Sequence, residues 1–267
     1  MNGEGCSPII MGILNITTDS FSDGNKYNDV EAAINHAMSM IDNGADIIDI
    51  GAESSRPGAL PIDSTVELSK LLPVVNEIKK LKTLISVDTY KSVTAKKVLE
   101  TGIDIINDIY ALRFDADMVH VLKDFPKSKI VLMHMLDTPS TMQNNPVYND
   151  VVQDIINFLK ERIDYCLANG ISEDRIIIDP GIGFGKTFEH NICIIKNIEK
   201  FKDLKLPVLL GASRKSFINS IYESTPQDRL VGSLATTVVA FMKKIDIIRV
   251  HDVKEHTEMI KSLAMVI

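Results

Sequence analysis

Asp88, Asn107 and Asp179 each stand at the end of a short apolar run, as do Asn15, Asp49, His134, Ser213 with Lys215, and Arg249 with His251. The first three bring two carboxylates and an amide, groups that accept paired N–H bonds from the guanidine-like edge of an electron-poor heterocycle. Arg214, Lys215, Arg249 and His251 come late in the chain and read as cations suited to an anion such as phosphate. Each residue alone has an ordinary alternative: Asp88 or Asn107 can bond a neighbouring backbone, His134 can be a satisfied core histidine, and Arg249 can pair with an acid. Recurrence at nearly every run implies a single site, one half holding a ring and the other an anion.

About eight such runs must carry these groups: Ile9 to Leu14, Ile47 to Ile50, Leu84 to Val87, Ile105 to Ile106, Ile130 to Met133, Ile176 to Ile178, Val208 to Leu210 and Ile247 to Val250. They are β-branched and short, and amphipathic helical patterns separate most of them. Val30, Ala33, Ile34, Ala37, Met38 and Ile41 share one helix face, as do Val152, Ile155, Ile156, Leu159, Ile163, Cys166 and Leu167. Ser64 with Glu67 predicts a capping-box start for another helix. Repeated strand and helix mean a parallel sheet, and this number of repeats predicts a (β/α)8 TIM barrel in a single domain, 1–267. A doubly wound open sheet is the alternative. In a closed barrel the strand ends share one rim, and the first strand returns beside the last, bringing Asn15 near Arg249 and His251. The long connections Thr17 to Asn28, Ala52 to Asp63 and Leu136 to Asn149 all follow strands, so all are expected on that rim.

The stretch RIIIDPGIGFGK, Arg175 to Lys186, concentrates the signal. Pro180 cannot donate to a sheet ladder, so Asp179 must close its strand. Gly181, Gly183 and Gly185 alternate with Ile182 and Phe184, which lets backbone approach a flat ligand between larger walls. The spacing is one residue too short for a phosphate-binding P-loop, and Lys186 occupies the third glycine of a dinucleotide fingerprint. A purely conformational glycine turn is the competing reading of this stretch alone.

Lys+Arg 29 against Asp+Glu 36 gives a net charge of −7, which argues against a general nucleic-acid or anionic-membrane surface. No apolar run reaches membrane-spanning length, and MNGEGCSPII has no basic leader region, so a cytoplasmic protein is expected. Cys6, Cys166 and Cys193 show neither C-x-x-C nor zinc spacing.

Taken together, ILNITTDSFSDG (Ile13 to Gly24), DIGAESSRPG (Asp49 to Gly58), SVDT (Ser86 to Thr89), IINDI (Ile105 to Ile109), DPGIGFGK, SRKSF (Ser213 to Phe217) and RVHDV (Arg249 to Val253) resemble the motif series of dihydropteroate synthases. TMQNNPVYNDVV, Thr141 to Val152, is similar to that family's long fifth loop. The resemblance implies a folate-pathway transferase that joins 6-hydroxymethyl-7,8-dihydropterin diphosphate to p-aminobenzoate and releases diphosphate. It implies that Asp88, Asn107, Asp179 and Lys215 hydrogen-bond the pterin, lined by Met133, Phe184 and Arg249. Asn15, Arg249 and His251 would hold diphosphate, with Asn15 on Mg²⁺. Phe21, Ser55, Arg56, Pro57 and Ser216 would form the p-aminobenzoate pocket, Asp23 would belong to a closing loop, and the chain would form a homodimer.

Three positions depart from the family pattern: Thr18 stands for proline, Ala52 for glycine, and Ser55 for threonine with its hydroxyl retained. A pterin-dependent methyltransferase barrel and a catalytically silent pterin-binding protein are the rival functions. The methyltransferase barrel does not account for DSFSDG, SSRPG and SRKS, and the joint presence of Asn15, Lys215, Arg249 and His251 argues against the silent protein.

Overall fold

The computed structural model describes residues 7–16, 26–56 and 58–267, with 26–29 as backbone only; Thr18, Phe21, Asp23 and Pro57 lie outside the described residues. Eight strands are present among the described residues: β1 (Ile9–Asn15), β2 (Ile47–Gly51), β3 (Leu84–Asp88), β4 (Ile105–Asp108), β5 (Lys129–Met133), β6 (Ile176–Asp179), β7 (Leu209–Leu210) and β8 (Ile247–Val250). Helices α1 (Lys26–Asp42), α2 (Ser64–Ile78), α3 (Ser92–Leu99), α4 (Met118–Asp124), α5 (Val151–Ala168), α6 (Phe188–Lys196), α7 (Leu230–Met242) and α8 (Val253–Val266) follow them in alternation.

All neighbours pair in parallel in the order β6-β5-β4-β3-β2-β1-β8-β7. A parallel bridge between Ile178 and Val208, with Ile178 N–H donating to the Pro207 carbonyl at 2.9 Å, joins the two ends. The sheet is therefore a closed barrel, and the open doubly wound alternative is excluded. Val208, expected inside the seventh strand, lies just before it, bridging to Ile178 on one side while its carbonyl accepts from Ile247 N–H at 3.1 Å on the other.

Strand alternation sorts the side chains. Met11, Ile47, Ile105, Val131, Ile177, Leu209 and Ile247 meet inside the barrel as one apolar cluster. Two residues further along β2, β4, β5, β6, the chain after β7, and β8 come Asp49, Asn107, Met133, Asp179, Gly211 and Arg249. One turn of the pleat thus converts an apolar plug into a polar floor. The alternate residues, among them Ile48, Ile50, Ile106, Ile130, Leu132, Ile176 and Ile178, face outward into the larger core beneath the helices.

The start of α2 differs from its sequence signature. Asp63, not Ser64, caps the helix, accepting from Thr65 N–H at 2.7 Å. Glu67 is buried and accepts instead from Thr94 Oγ1 at 2.6 Å, so it has no part in a capping box.

Candidate active site

The polar floor opens into a cleft of about 320 Å³, open solvent included. Asp88, Asn107, Met133, Asp179, Phe184, Lys215, Arg249 and Ser55 line it together with Gly181, Ile182 and Gly211. Seven strands or strand ends, β2 to β8, therefore deliver the donors, acceptors and apolar walls to one place.

Arg249 organises the floor. Its Nε donates to Asp49 Oδ2 at 2.6 Å and its Nη2 to Asp88 Oδ2 at 3.2 Å, while Asn107 Nδ2 donates to the same Asp49 oxygen at 3.1 Å. Burial opposes the guanidinium charge, but Asp49 and Asp88 more than offset it and hold Arg249 above its ordinary pKa. Asp88 is pushed up to about 7 by burial, with Asp49 adding to the rise and Arg249 countering it. Asp179 is raised to about 6 by burial, although Gly181 N–H donates to its Oδ1 at 2.7 Å. Lys215 is lowered to about 8 by burial and by Arg249. Its ammonium lies 4.0 Å from the centre of the Phe184 ring, a cation–π contact that leaves its hydrogens free for other acceptors.

The glycine-rich loop is shaped by backbone that other residues resist. Gly181, Gly183 and Gly185 have φ of +69°, +83° and +65°. A Cβ on Gly181 would stand 1.9 Å from the His134 carbonyl oxygen, and one on Gly185 would stand 2.5 Å from Leu136 Cβ. The loop is pinned from below by buried Lys186, whose ammonium reaches His134 Nδ1 and the Phe184 carbonyl, both at 2.9 Å. Burial lowers Lys186 to about 7 and His134 to about 2, so the histidine is neutral and accepts. His134 is thus a buried support.

The anion half is narrower than the sequence implied. Arg214, with φ of +56°, is turned into an ion pair with Asp252, to which its Nε donates at 3.0 Å. Burial and then Arg249 lower His251 to about 3, so in the free protein it offers an N–H in place of a positive charge. Ser213 Oγ accepts the His251 backbone N–H at 3.2 Å and lies 3.1 Å from its Nδ1. Asn15 is exposed at the end of β1, beside the Gly51 end of β2, and no hydrogen bond links it to Arg249 or His251 among the described residues. Ser216 is exposed and opens a five-residue 3-10 turn, Ser216–Ser220; α7 begins only at Leu230.

Residues 11–251 match the model of the pterin binding enzyme family. Dihydropteroate synthase of Clostridium beijerinckii is 43% identical over 260 residues, covering 97% of this chain and 94% of the relative. The chain belongs to the dihydropteroate synthase family. Among solved structures, Yersinia pestis dihydropteroate synthase with a sulfonamide drug superposes with a TM-score of 0.91 at 38% identity, covering 97% of this chain and 94% of that one. Xanthomonas albilineans dihydropteroate synthase in complex with 7,8-dihydropteroate gives 0.87 at 34% identity, covering 97% and 94%. A barrel shared at this level across both sequence and backbone assigns the chain a transferase function, and the silent and methyltransferase alternatives are not favoured.

Proposed function

We propose that this barrel condenses 6-hydroxymethyl-7,8-dihydropterin diphosphate with p-aminobenzoate to give 7,8-dihydropteroate and diphosphate. The observation that carries the reading is the convergence of Asp88, Asn107, Asp179, Lys215 and Arg249 on one cleft walled by Met133 and Phe184. Asp88, Asn107 and Asp179 match the donor-rich edge of a pterin, and Lys215 its carbonyl and ring nitrogen acceptors. Arg249, His251 and Asn15 would face the diphosphate. Ser55, Arg56 and Ser216, with Phe21 and Pro57, would border p-aminobenzoate, and Asp23 would belong to the closing loop.

The carbon–oxygen bond between the pterin methylene and diphosphate breaks, leaving negative charge on the departing group. Arg249 and the His251 N–H stabilise that charge, and the two carboxylates stabilise the methylene cation through its conjugated ring. The neutral arylamine then forms the new carbon–nitrogen bond and loses a proton, so the substitution is SN1-like and needs no strong base. Asn15 offers a hard oxygen donor of the kind Mg²⁺ takes alongside substrate phosphates, and no cluster of three His, Cys, Asp or Glu groups forms an all-protein metal cage among the described residues. Mg²⁺ held there would supply charge neutralisation of the diphosphate.

The same reading includes one domain acting in the cytoplasm as a homodimer. No described helix is long and apolar enough to cross a membrane. Val231 and Met242, three turns apart on α7 and 71% and 63% exposed, support a self-associating face.

The test is to follow dihydropteroate and diphosphate with Mg²⁺, with and without p-aminobenzoate. Equimolar products that vanish in Lys215→Ala support the reading; pterin binding without coupling overturns it.

A further inference from the structure

Glu53 is two residues past the end of β2 and takes no part in the cleft lining, yet its side chain is only 11% exposed and fully engaged. Its Oε1 accepts from Tyr90 Oη at 2.5 Å. Its Oε2 accepts from Lys91 Nζ at 2.5 Å and from the backbone N–H of Ile62 at 3.0 Å. Lys91 continues to buried Glu67 at 3.2 Å, and Glu67 accepts from Thr94 at 2.6 Å. One carboxylate therefore ties the start of the β2–α2 connection to its end nine residues on, and ties both to the turn that follows Asp88.

The consequences reach the cleft from two sides. Between the tied ends lie Ser55, which lines the cleft, and Arg56. Tyr90 belongs to an apolar cluster with Ile109, Met133 and Phe184, three residues of the cleft wall. A recess bordered by Glu53, Tyr90 and Glu67 adjoins the cleft through Ser55, Asp88 and Ile109.

We propose that Glu53 is a positioning residue for the second substrate: it clamps the β2–α2 loop against the β3–α3 turn and so holds Ser55 and Arg56 at a fixed distance from the pterin-facing Asp88. The inference rests on the reading of Ser55 and Arg56 as part of the p-aminobenzoate pocket. Held this way, the loop has its closure entropy removed before the arylamine arrives. The end of the clamp that is free to move is the β2–α2 loop, which carries Ser55 and Arg56, whereas its other end and the pterin-facing residues stand on the barrel strands β3, β4, β5, β6 and β8 and the chain after β7.

The experiment uses the full chain and four variants: Arg56→Ala, Glu53→Ala, Glu53→Asp and Tyr90→Phe. Glu53→Ala is expected to raise KM for p-aminobenzoate about tenfold, the scale of losing hydrogen bonds to a charged group, with KM for the pterin diphosphate within about twofold. Tyr90→Phe removes one hydroxyl without changing the packed ring, and is expected to raise the same KM by about threefold. Amide hydrogen exchange at Ile62, read on folded protein without substrates, should quicken in Glu53→Ala and stay near the parent rate in Tyr90→Phe. Glu53→Asp, too short to reach all three donors, should fall between the parent and Glu53→Ala. If both substrates' KM values rise together, or Ile62 exchange is unchanged in Glu53→Ala, the clamp is overturned. If Arg56→Ala leaves KM for p-aminobenzoate untouched, the pocket reading fails first, and that result is distinct from a failure at Glu53.

Discussion

The Asp49 carboxylate, wholly buried in the barrel, accepts from Arg249 Nε at 2.6 Å across a sequence separation of 200 residues. The pair fixes where the guanidinium stands, and only from that position does its second nitrogen reach Asp88. Asp49→Ala leaves a buried cation with half its compensation, so it is expected to cost about 3 kcal/mol in urea unfolding. Asp49→Asn keeps an acceptor for Nε and should cost less, while lowering kcat/KM for the pterin substrate. Equal stability of the parent and Asp49→Ala would refute the pairing as a structural determinant.

Proton uptake follows from the raised carboxyls. Asp88 at about 7 and Asp179 at about 6 exceed their ordinary value of 3.8, so between those limits the folded protein binds more protons than the unfolded chain. Their contribution therefore weakens stability as pH rises from about 4 through about 7. A pterin whose N–H groups donate to these carboxylates favours the ionised form, so binding near pH 6 should release protons and tighten as pH rises. Calorimetry in buffers of different ionisation enthalpy checks this, and Asp88→Asn should remove most of the release.

Gly181→Ala places a side chain on backbone at φ +69° and 1.9 Å from the His134 carbonyl oxygen. Backbone strain of this kind alone costs about 1–3 kcal/mol, and the clash adds to it. Thermal unfolding should drop accordingly, and pterin affinity should fall more than p-aminobenzoate affinity, because the loop walls the ring. Gly58→Ala, at φ +82° with nothing within 4 Å, isolates the strain from the clash and should be the milder change.

Ser213 accepts the His251 backbone N–H at 3.2 Å and stands 3.1 Å from Nδ1; donation of its own hydrogen to Nδ1 would put the ring proton on Nε2. Ser213→Ala releases the tautomer. Inorganic diphosphate should then inhibit about fivefold less well, on the scale of one hydrogen bond, with KM for p-aminobenzoate unchanged. Nitrogen NMR of the imidazole gives an independent view of the tautomer.

The barrel was legible because most strands are short β-branched runs that end at a polar residue, and Pro180 marked one strand end unambiguously. The same alternation that made strands readable also decided which of two adjacent polar residues enters the site. Asn107 points in, whereas Asp108 points out and accepts from the N–H groups of Tyr110 and Leu112, both at 2.8 Å. Asp49 was visible as a strand-end acid, but its partner lies on the last strand and only closure brings them together. Lys186 was read as the tail of the glycine loop, because nothing local foretells its burial against His134. The capping pair Ser64 and Glu67 misled for a related reason: Glu67 has a better partner in Thr94, 27 residues away.

The closing joint between β6 and β7 has one bridge, and β7 itself is two residues long. Asp179 ends one side of that joint and Lys215 follows the other. A flat molecule gripped by both spans the seam like a staple across a hoop, adding rungs where the sheet has fewest. The barrel's thinnest stave thus borders the cleft, so a ligand held there would brace the ring where its own pairing is sparsest.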